Sequence, residues 1–331
     1  MSFLKTIGAA AAVAAVLLAS TAYAAPVKIA LVVKSLGNGF FDAANKGAEE
    51  AAKALGDVQV IYTGPTKATA EAQIEVINSL IAQKVNAIAI SANDKDALVP
   101  VLKKAMQRGI TVISFDSGVA KEGRELNLNA SGVDLIGDTI IKLAADHLPD
   151  GGEVAILSAA STATNQNAWI DAAKKVLPTK YPKIKLDAVV YGDDDSAKST
   201  DQAKGLLKSY PNLKAIIAPT TVGVVAAAQV VTDENLIGKV NVTGLALPSE
   251  FKKFIDNGAS QGVALWNPID LGYSAIYLAY DLAVKKEKAT PGAKLSMGRV
   301  GTLTLDDNLE GAMANPFIFD KSNIAEYAKI Y

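Results

Sequence analysis

The sequence predicts an α/β protein of two lobes, each a parallel sheet flanked by helices, joined by a hinge. Three observations predict it. Short apolar runs rich in Val, Ile and Ala alternate with helical patterns along nearly the whole chain. The alternation passes through four strand–helix units, breaks near residue 130, and resumes for about four more. Setting aside an N-terminal leader leaves about 305 residues. That is more than one core usually organises and suggests two lobes of about 150 residues.

The opening unit sets the pattern. Residues 27–33, VKIALVV, are almost wholly apolar and read as a strand buried on both faces of a parallel sheet. The chain turns at Gly37-Asn38-Gly39 and enters a helix at Phe40 and Phe41, whose small residues Ala43, Ala44, Gly47, Ala48, Ala51 and Ala52 allow close packing on the sheet. Strands follow at 58–62, 86–91 and 110–115, with helices at 69–83 and, capped by Asp94, at 94–107. Residues 125–129 read as a fifth strand, antiparallel or at an edge. The second round gives helices at 133–147, at 165–177 closed by Pro178, and at 196–209, 222–232, 248–257 and 271–286. Its strands fall at 153–158, 185–191, 214–218, 239–243 and 261–265, with a last one at 301–305. No Gly/Ser or Pro spacer separates the rounds, so the lobes would hinge about a shared cleft. The expected division is 26–129 plus 266–299 for the N-terminal lobe and 130–265 plus 300–331 for the C-terminal lobe.

The first 25 residues read as a secretory signal peptide. Lys5 is a short positive region, residues 7–20 are apolar, and Ala22-Tyr23-Ala24 is a small-x-small site that places cleavage near Ala24/Ala25. The stretch is too short and wrongly flanked for a membrane anchor. The chain contains no cysteine, so export would bring neither a disulfide nor a thiol for a lipid anchor, and a periplasm is the expected compartment. With 33 Lys+Arg against 34 Asp+Glu, loss of Lys5 leaves a net charge near −2, and no nucleic-acid stripe stands out.

In open α/β sheets, ligands bind beyond the carboxyl ends of the strands. The polar and aromatic residues at those ends are Lys34 with Phe40 and Phe41, Asp116, Asn165 with Gln166, Pro219 with Thr221, and Trp266 with Asn267. Such a set suits a small polyol: a carboxylate accepts two hydroxyl hydrogens, a lysine or amide donates, and an aromatic face covers the C–H side. Each residue also has a plainer reading. Phe40, Phe41 and Trp266 could be core, Asp116 a turn residue, Asn165 a helix cap, and Gln166 a solvent-facing side chain.

Six stretches carry a resemblance: KSLGNGFFD at 34–42, YTGPT at 62–66, AIAIS at 87–91, TNQNAW at 164–169, IIAPT at 216–220 and ALWNP at 264–268. They resemble the type I periplasmic substrate-binding proteins of ABC importers, above all the rhamnose-binding and autoinducer-2-binding branch of the ribose-binding-protein group. The likeness runs through nearly the whole mature chain. It implies two Rossmann-like lobes that close about a sugar or sugar-like ligand and deliver it to a membrane permease, as a monomer, with a chemoreceptor left open as a second partner. The autoinducer-2 pattern has a Lys matched by Lys34, an Asp matched by Asp116, an Asp-Gln pair here replaced by Asn165-Gln166, and a Pro followed two positions on by Ala, here Pro219 and Thr221. Asn165 and Thr221 depart from it, and the TNQNAW form looks closer to rhamnose binders. Ribose binders carry a carboxylate where this chain has Leu245-Ala246-Leu247.

Other chemistries find little support. The third glycine position after Gly37 and Gly39 is Asp42, so the dinucleotide fingerprint fails, and there is no P-loop. No cofactor or metal is expected. His147 is the one histidine and reads as a helix-end residue. Asp193-Asp194-Asp195 lacks the alternation of a calcium loop and reads as a helix entry and solvated face. A sugar-acting enzyme would need a matched acid and base, whereas Asp116 is the one strand-end carboxylate expected in the cleft. A regulator of the same fold would need a DNA-binding headpiece. The expectation is therefore a binding protein for rhamnose, with autoinducer-2 as the alternative ligand.

Overall fold

The structure, a computed structural model, describes residues 25–331. The expected signal peptide lies outside the described residues apart from its last position. The first sheet begins with β1 (Val27–Val32), α1 (Gly39–Leu55), β2 (Val58–Thr63), α2 (Ala70–Ala82), β3 (Ala87–Ile90), α3 (Val99–Gln107), β4 (Thr111–Phe115) and β5 (Leu126–Asn129). The second holds α4 (Val133–Ala145), β6 (Gly152–Ser158), α5 (Thr164–Lys180), β7 (Ile184–Tyr191), α6 (Ser196–Ser209), β8 (Leu213–Ala218), α7 (Thr221–Asp233), β9 (Asn241–Gly244), α8 (Pro248–Asp256) and β10 (Val263–Leu265). The chain then returns through α9 (Pro268–Ala283), β11 (Lys294–Ser296), β12 (Thr302–Thr304) and β13 (Glu310–Ala312). It ends in β14 (Phe317–Phe319) and α10 (Ile324–Tyr327).

Both sheets have the same strand order. The first runs β2-β1-β3-β4-β5-β13, all parallel. The second runs β7-β6-β8-β9 in parallel; β10 lies beside β9 through a parallel bridge from Leu245 to Ala264, and β14 pairs antiparallel with β10. β1 shows why its sequence is apolar at every position. Ile29, Leu31 and Val33 pack into one cluster with α1 and α9, while Ala30 and Val32 pack into the cluster on the opposite face with Ile88, Ile90 and Leu102. A strand covered on both faces has no solvent side to mark with polar residues.

Several expectations change. β5 is parallel, and it is not an edge, because β13 covers it. Residues 310–312 thus pair with the first sheet although 300–331 was expected in the second lobe, and the strand expected at 301–305 is one arm of the β11–β12 ribbon. The third passage between the sheets is accordingly at 313–316, beside 130–132 and 266–267. Glu310-Gly311-Ala312 carries no apolar run; β5's open backbone edge is what recruits it. Asp94 does accept from the Asp96 and Ala97 amides, but it caps a turn and α3 begins only at Val99, next to Pro100. Pro178 does not close its helix: α5 continues to Lys180, since a proline in the last turn removes one hydrogen bond without obstructing the residues after it. The small-residue face of α1 lies largely along α9.

Candidate functional site

The carboxyl ends of both sheets face one another across a single cavity lined from both lobes. Lys34 follows directly on the buried end of β1. After it, Gly37 takes a left-handed turn (φ +81°), and Asn38 caps α1 by accepting from the Phe40 amide at 3.0 Å. That cap puts Phe40 and Phe41 at the cavity wall. Asp116 follows β4 in the left-handed region (φ +58°), which Asp adopts more readily than most residues.

The charged pair is braced from both sides. Lys34 and Asp116 are 4% and 5% exposed, with Lys34 Nζ 4.0 Å from Asp116 Oδ2. Ser91 Oγ donates to Asp116 Oδ2 at 2.7 Å and Asn165 Nδ2 donates to Oδ1 at 3.0 Å. Lys34 Nζ donates to Asn165 Oδ1 at 3.2 Å. Burial pushes the Asp116 carboxyl above the usual aspartate range; Lys34 and the two hydrogen bonds pull it back in part, and Asp194 pushes it further up. Beneath them Gln73, fully buried, ties the strand ends together. Its Nε2 donates to Val33 O at 3.1 Å and Ser91 O at 2.7 Å, and its Oε1 accepts from the Asn93 amide at 2.9 Å. Asn93 Nδ2 in turn donates to Lys34 O at 2.9 Å.

The second sheet supplies a different surface. Gln166 Oε1 accepts from Ser158 Oγ at 2.7 Å and the Ala159 amide at 2.8 Å; its Nε2 has no partner among the described residues. Trp266, 2% exposed, stands edge-on to Phe40 and Trp169, with ring centroids 6.2 and 5.6 Å apart. Its indole Nε1 is buried with no hydrogen-bond partner among the described residues. A buried donor left unpaired costs about 1–3 kcal/mol. Besides the Lys34–Asn165–Asp116 set, Thr162 Oγ1 donates to Asn93 O at 2.9 Å and Thr221 Oγ1 reaches Asn38 Oδ1 at 3.5 Å. These contacts join the two lobes at the cleft.

Nine of the ten residues picked from the sequence line this one cavity: Lys34, Phe40, Phe41, Asp116, Asn165, Gln166, Pro219, Thr221 and Trp266. Asn267 does not. Its Oδ1 accepts from the Ile269 and Asp270 amides and its Nδ2 donates to Asp270, so its amide is committed to capping α9. Sequence reasoning passed over Asn38, Trp169, Asp194, Thr220, Leu245 and Leu265, which complete the wall. Asp194 departs most from expectation, since a run of three aspartates suggested a solvated face. Asn38 and Thr220 carried a signal, as polar caps of the helices that follow strands β1 and β8.

Similarity to known proteins identifies the family. A periplasmic binding protein domain matches residues 29–287. The chain belongs to that family. A solved ABC transporter solute binding protein from Clostridium phytofermentas with bound L-rhamnose is 41% identical to it, with a TM-score of 0.89 over 93% of this chain and 100% of that one. LsrB from Clostridium saccharobutylicum in complex with AI-2 is 25% identical, with a TM-score of 0.85 over 91% and 99%. The D-allose-binding periplasmic protein of Escherichia coli (strain K12) is 29% identical over 293 residues, 83% of this chain and 90% of that protein. This binding protein is thus of the sugar ABC transporter solute-binding kind, and its relatives are binding proteins rather than enzymes. No helix among the described residues is long and apolar enough to cross a membrane.

Proposed function

We propose that this binding protein captures L-rhamnose between its lobes in the periplasm, after loss of its leader near Ala24/Ala25, and hands it to an inner-membrane ABC permease. The observation that carries the reading is the pairing of Asp116 and Lys34 in a cavity that also holds the aromatic rings of Phe40, Phe41, Trp169 and Trp266. A 6-deoxyhexose suits both: hydroxyls along the ring and a methyl group with C–H faces elsewhere. Asp116 accepts from adjacent hydroxyls, Lys34, Gln166 Nε2 and Trp266 Nε1 donate, and Phe40, Phe41 and Trp169 cover the apolar side. The 41% identity to a rhamnose-bound structure supports the same ligand. In an autoinducer-2 site Asn165 and Thr221 would each depart from the pattern expected from the sequence.

Binding begins on one open lobe; the other closes and excludes water, which strengthens every polar contact inside. The joined lobes are then the shape offered to the permease. Calorimetric titration of the purified chain with L-rhamnose, autoinducer-2, D-allose and D-ribose tests this. L-rhamnose is expected to bind with micromolar or better affinity, about −8 kcal/mol or stronger, and the others more weakly. Absence of heat with L-rhamnose overturns the assignment, and tighter binding of autoinducer-2 moves the site to that ligand.

A further inference from the structure

Three ionisable side chains line the cavity among the described residues, one cation and two carboxylates: Lys34, Asp116 and Asp194. Lys34 is matched to Asp116 at 4.0 Å. Asp194 has no ion-pair partner among the described residues, although both its neighbours are engaged. Asp193 pairs with Lys198, and Asp195 caps α6 by accepting from the Lys198 amide at 2.7 Å. Asp194 instead takes a left-handed backbone conformation (φ +51°) and turns to the cavity. There the Thr220 hydroxyl donates to its Oδ1, while Oδ2 has no hydrogen bond among the described residues. Thr220 is itself fixed: it is 4% exposed and its Oγ1 accepts from the Gly223 amide at 3.4 Å as the cap of α7. The carboxylate is therefore held in place with one oxygen uncommitted, in the same cavity as the unpaired Trp266 Nε1 donor.

We propose that Asp194 is a specificity-determining residue of this cleft: it accepts a ligand hydroxyl through Oδ2 and, by leaving the cavity one negative charge in excess, admits neutral polyhydroxylated ligands while rejecting those that carry a carboxylate or phosphate. The proposal rests on the sugar-binding reading above and narrows its substrate class. The two carboxylates already sense each other, since Asp194 is one of the groups that hold the Asp116 carboxyl high. An anionic ligand entering between them would meet that repulsion in a water-poor space, where it is screened least. A neutral sugar instead supplies a hydroxyl hydrogen to the uncommitted Asp194 Oδ2.

The test compares L-rhamnose with its aldonic acid, L-rhamnonate, on the full chain and on Asp194→Asn, by tryptophan fluorescence and calorimetry. The variant keeps the side-chain shape and an oxygen for the Thr220 hydroxyl while removing the charge. L-rhamnose affinity is expected to fall about tenfold or more, as for loss of a charge-assisted hydrogen bond. The preference for L-rhamnose over L-rhamnonate is expected to shrink by at least about tenfold. An unchanged preference overturns the proposal, as does unchanged L-rhamnose affinity. Thr220→Val is the companion variant. It frees Asp194 from its tether but keeps the charge, so affinity for L-rhamnose should drop several-fold while discrimination against the acid stays; unchanged affinity, or lost discrimination, counts against the assignment. If the unaltered chain binds L-rhamnose and Asp194→Asn behaves like it, only the role of Asp194 falls. If the unaltered chain binds none of L-rhamnose, autoinducer-2, D-allose or D-ribose, the sugar-binding reading falls and takes this proposal with it.

Discussion

The two lobes repeat one strand order and end their strands in different chemistry. In the first, β1 and β4 lead into Lys34 and Asp116, a buried ion pair held by Ser91 and by the Gln73–Asn93 network. In the second, the strands in the same places, β6 and β9, lead into Ser158-Ala159 and Leu245, and β10 leads into Trp266. The first lobe's wall carries the buried ion pair, braced from beneath, beside Phe40 and Phe41; the second lobe's wall carries Trp169, Trp266, Gln166 and the single carboxylate of Asp194, with the Gln166 Nε2 and Trp266 Nε1 donors unpaired among the described residues. The lesson is that this topology determines where side chains meet a ligand and leaves open what they do there. The helix packing shows a parallel difference. The helix that enters each lobe from the other, α9 in the first and α4 in the second, lies against the first helix after that lobe's central strand, α1 and α5. Both contacts depend on a glycine, but a Cβ on Gly272 would strike the backbone carbonyl of Ala44, whereas on Gly137 it would first meet the side-chain methyl of Ala172.

Substitutions on each side test this contrast. The largest effect is expected from Asp116→Ala, which removes the acceptor from the charged wall and leaves Lys34 unmatched. L-rhamnose binding should weaken more than about 100-fold, since hydrogen bonds to a charged group contribute about 1.5–3 kcal/mol each. Calorimetry reads this directly, and unchanged affinity would put the ligand elsewhere. Next come the paired glycine variants. Gly272→Ala should cost about 3 kcal/mol of stability and Gly137→Ala about 1–2 kcal/mol, because the added Cβ would overlap the Ala44 backbone more deeply than it overlaps Ala172 and Ala173; urea unfolding of both would break the comparison if the order reversed. Trp266→Phe keeps an aromatic ring beside Phe40 and Trp169 and deletes the unpaired Nε1 together with part of the indole bicycle. Affinity should fall about fivefold, near 1 kcal/mol, and no loss would mean that the indole donor meets no ligand.

The smallest effect concerns the mouth between the lobes. Glu250, on α8, sits beside the start of α1. Burial, and then the Asp42 carboxylate across the mouth, hold its carboxyl above the usual glutamate range. A raised carboxyl in the joined lobes favours its protonated form, so closure is disfavoured above that pKa and gains as pH falls through it toward about 4.3. Glu250→Gln should therefore tighten L-rhamnose binding about twofold at pH 7.5. The side chain stays partly exposed, which keeps the effect small. Titrations repeated at pH 5 should show the gap between variant and parent narrowing; a widening gap would reverse the sign of the interaction.

Much of the fold was legible because buried parallel strands announce themselves locally. Residues 29–33 and 87–90 must be apolar at every position to be covered on both faces, and no distant contact is needed to see it. The site was legible for a related reason: a polar residue directly after such a run, as at Lys34 or Asp116, stands at a strand's carboxyl end in any topology. β13 was not legible, since three residues without an apolar pattern become a strand only when β5 offers an edge.

The order of elements as far as α9, most of the strand ends and nine of the cavity residues follow from the sequence alone, because each depends on its immediate neighbours along the chain. Tertiary structure decided which polar groups are spent and which are free. Asn267 and Asp195 are committed to helix caps, whereas Asp194, the middle of three identical residues, faces the cavity. Composition cannot tell those aspartates apart. A carboxylate's role is set by the partners brought to it from other elements, and for Asp194 that partner is Thr220, delivered by a strand of the same sheet 26 positions away.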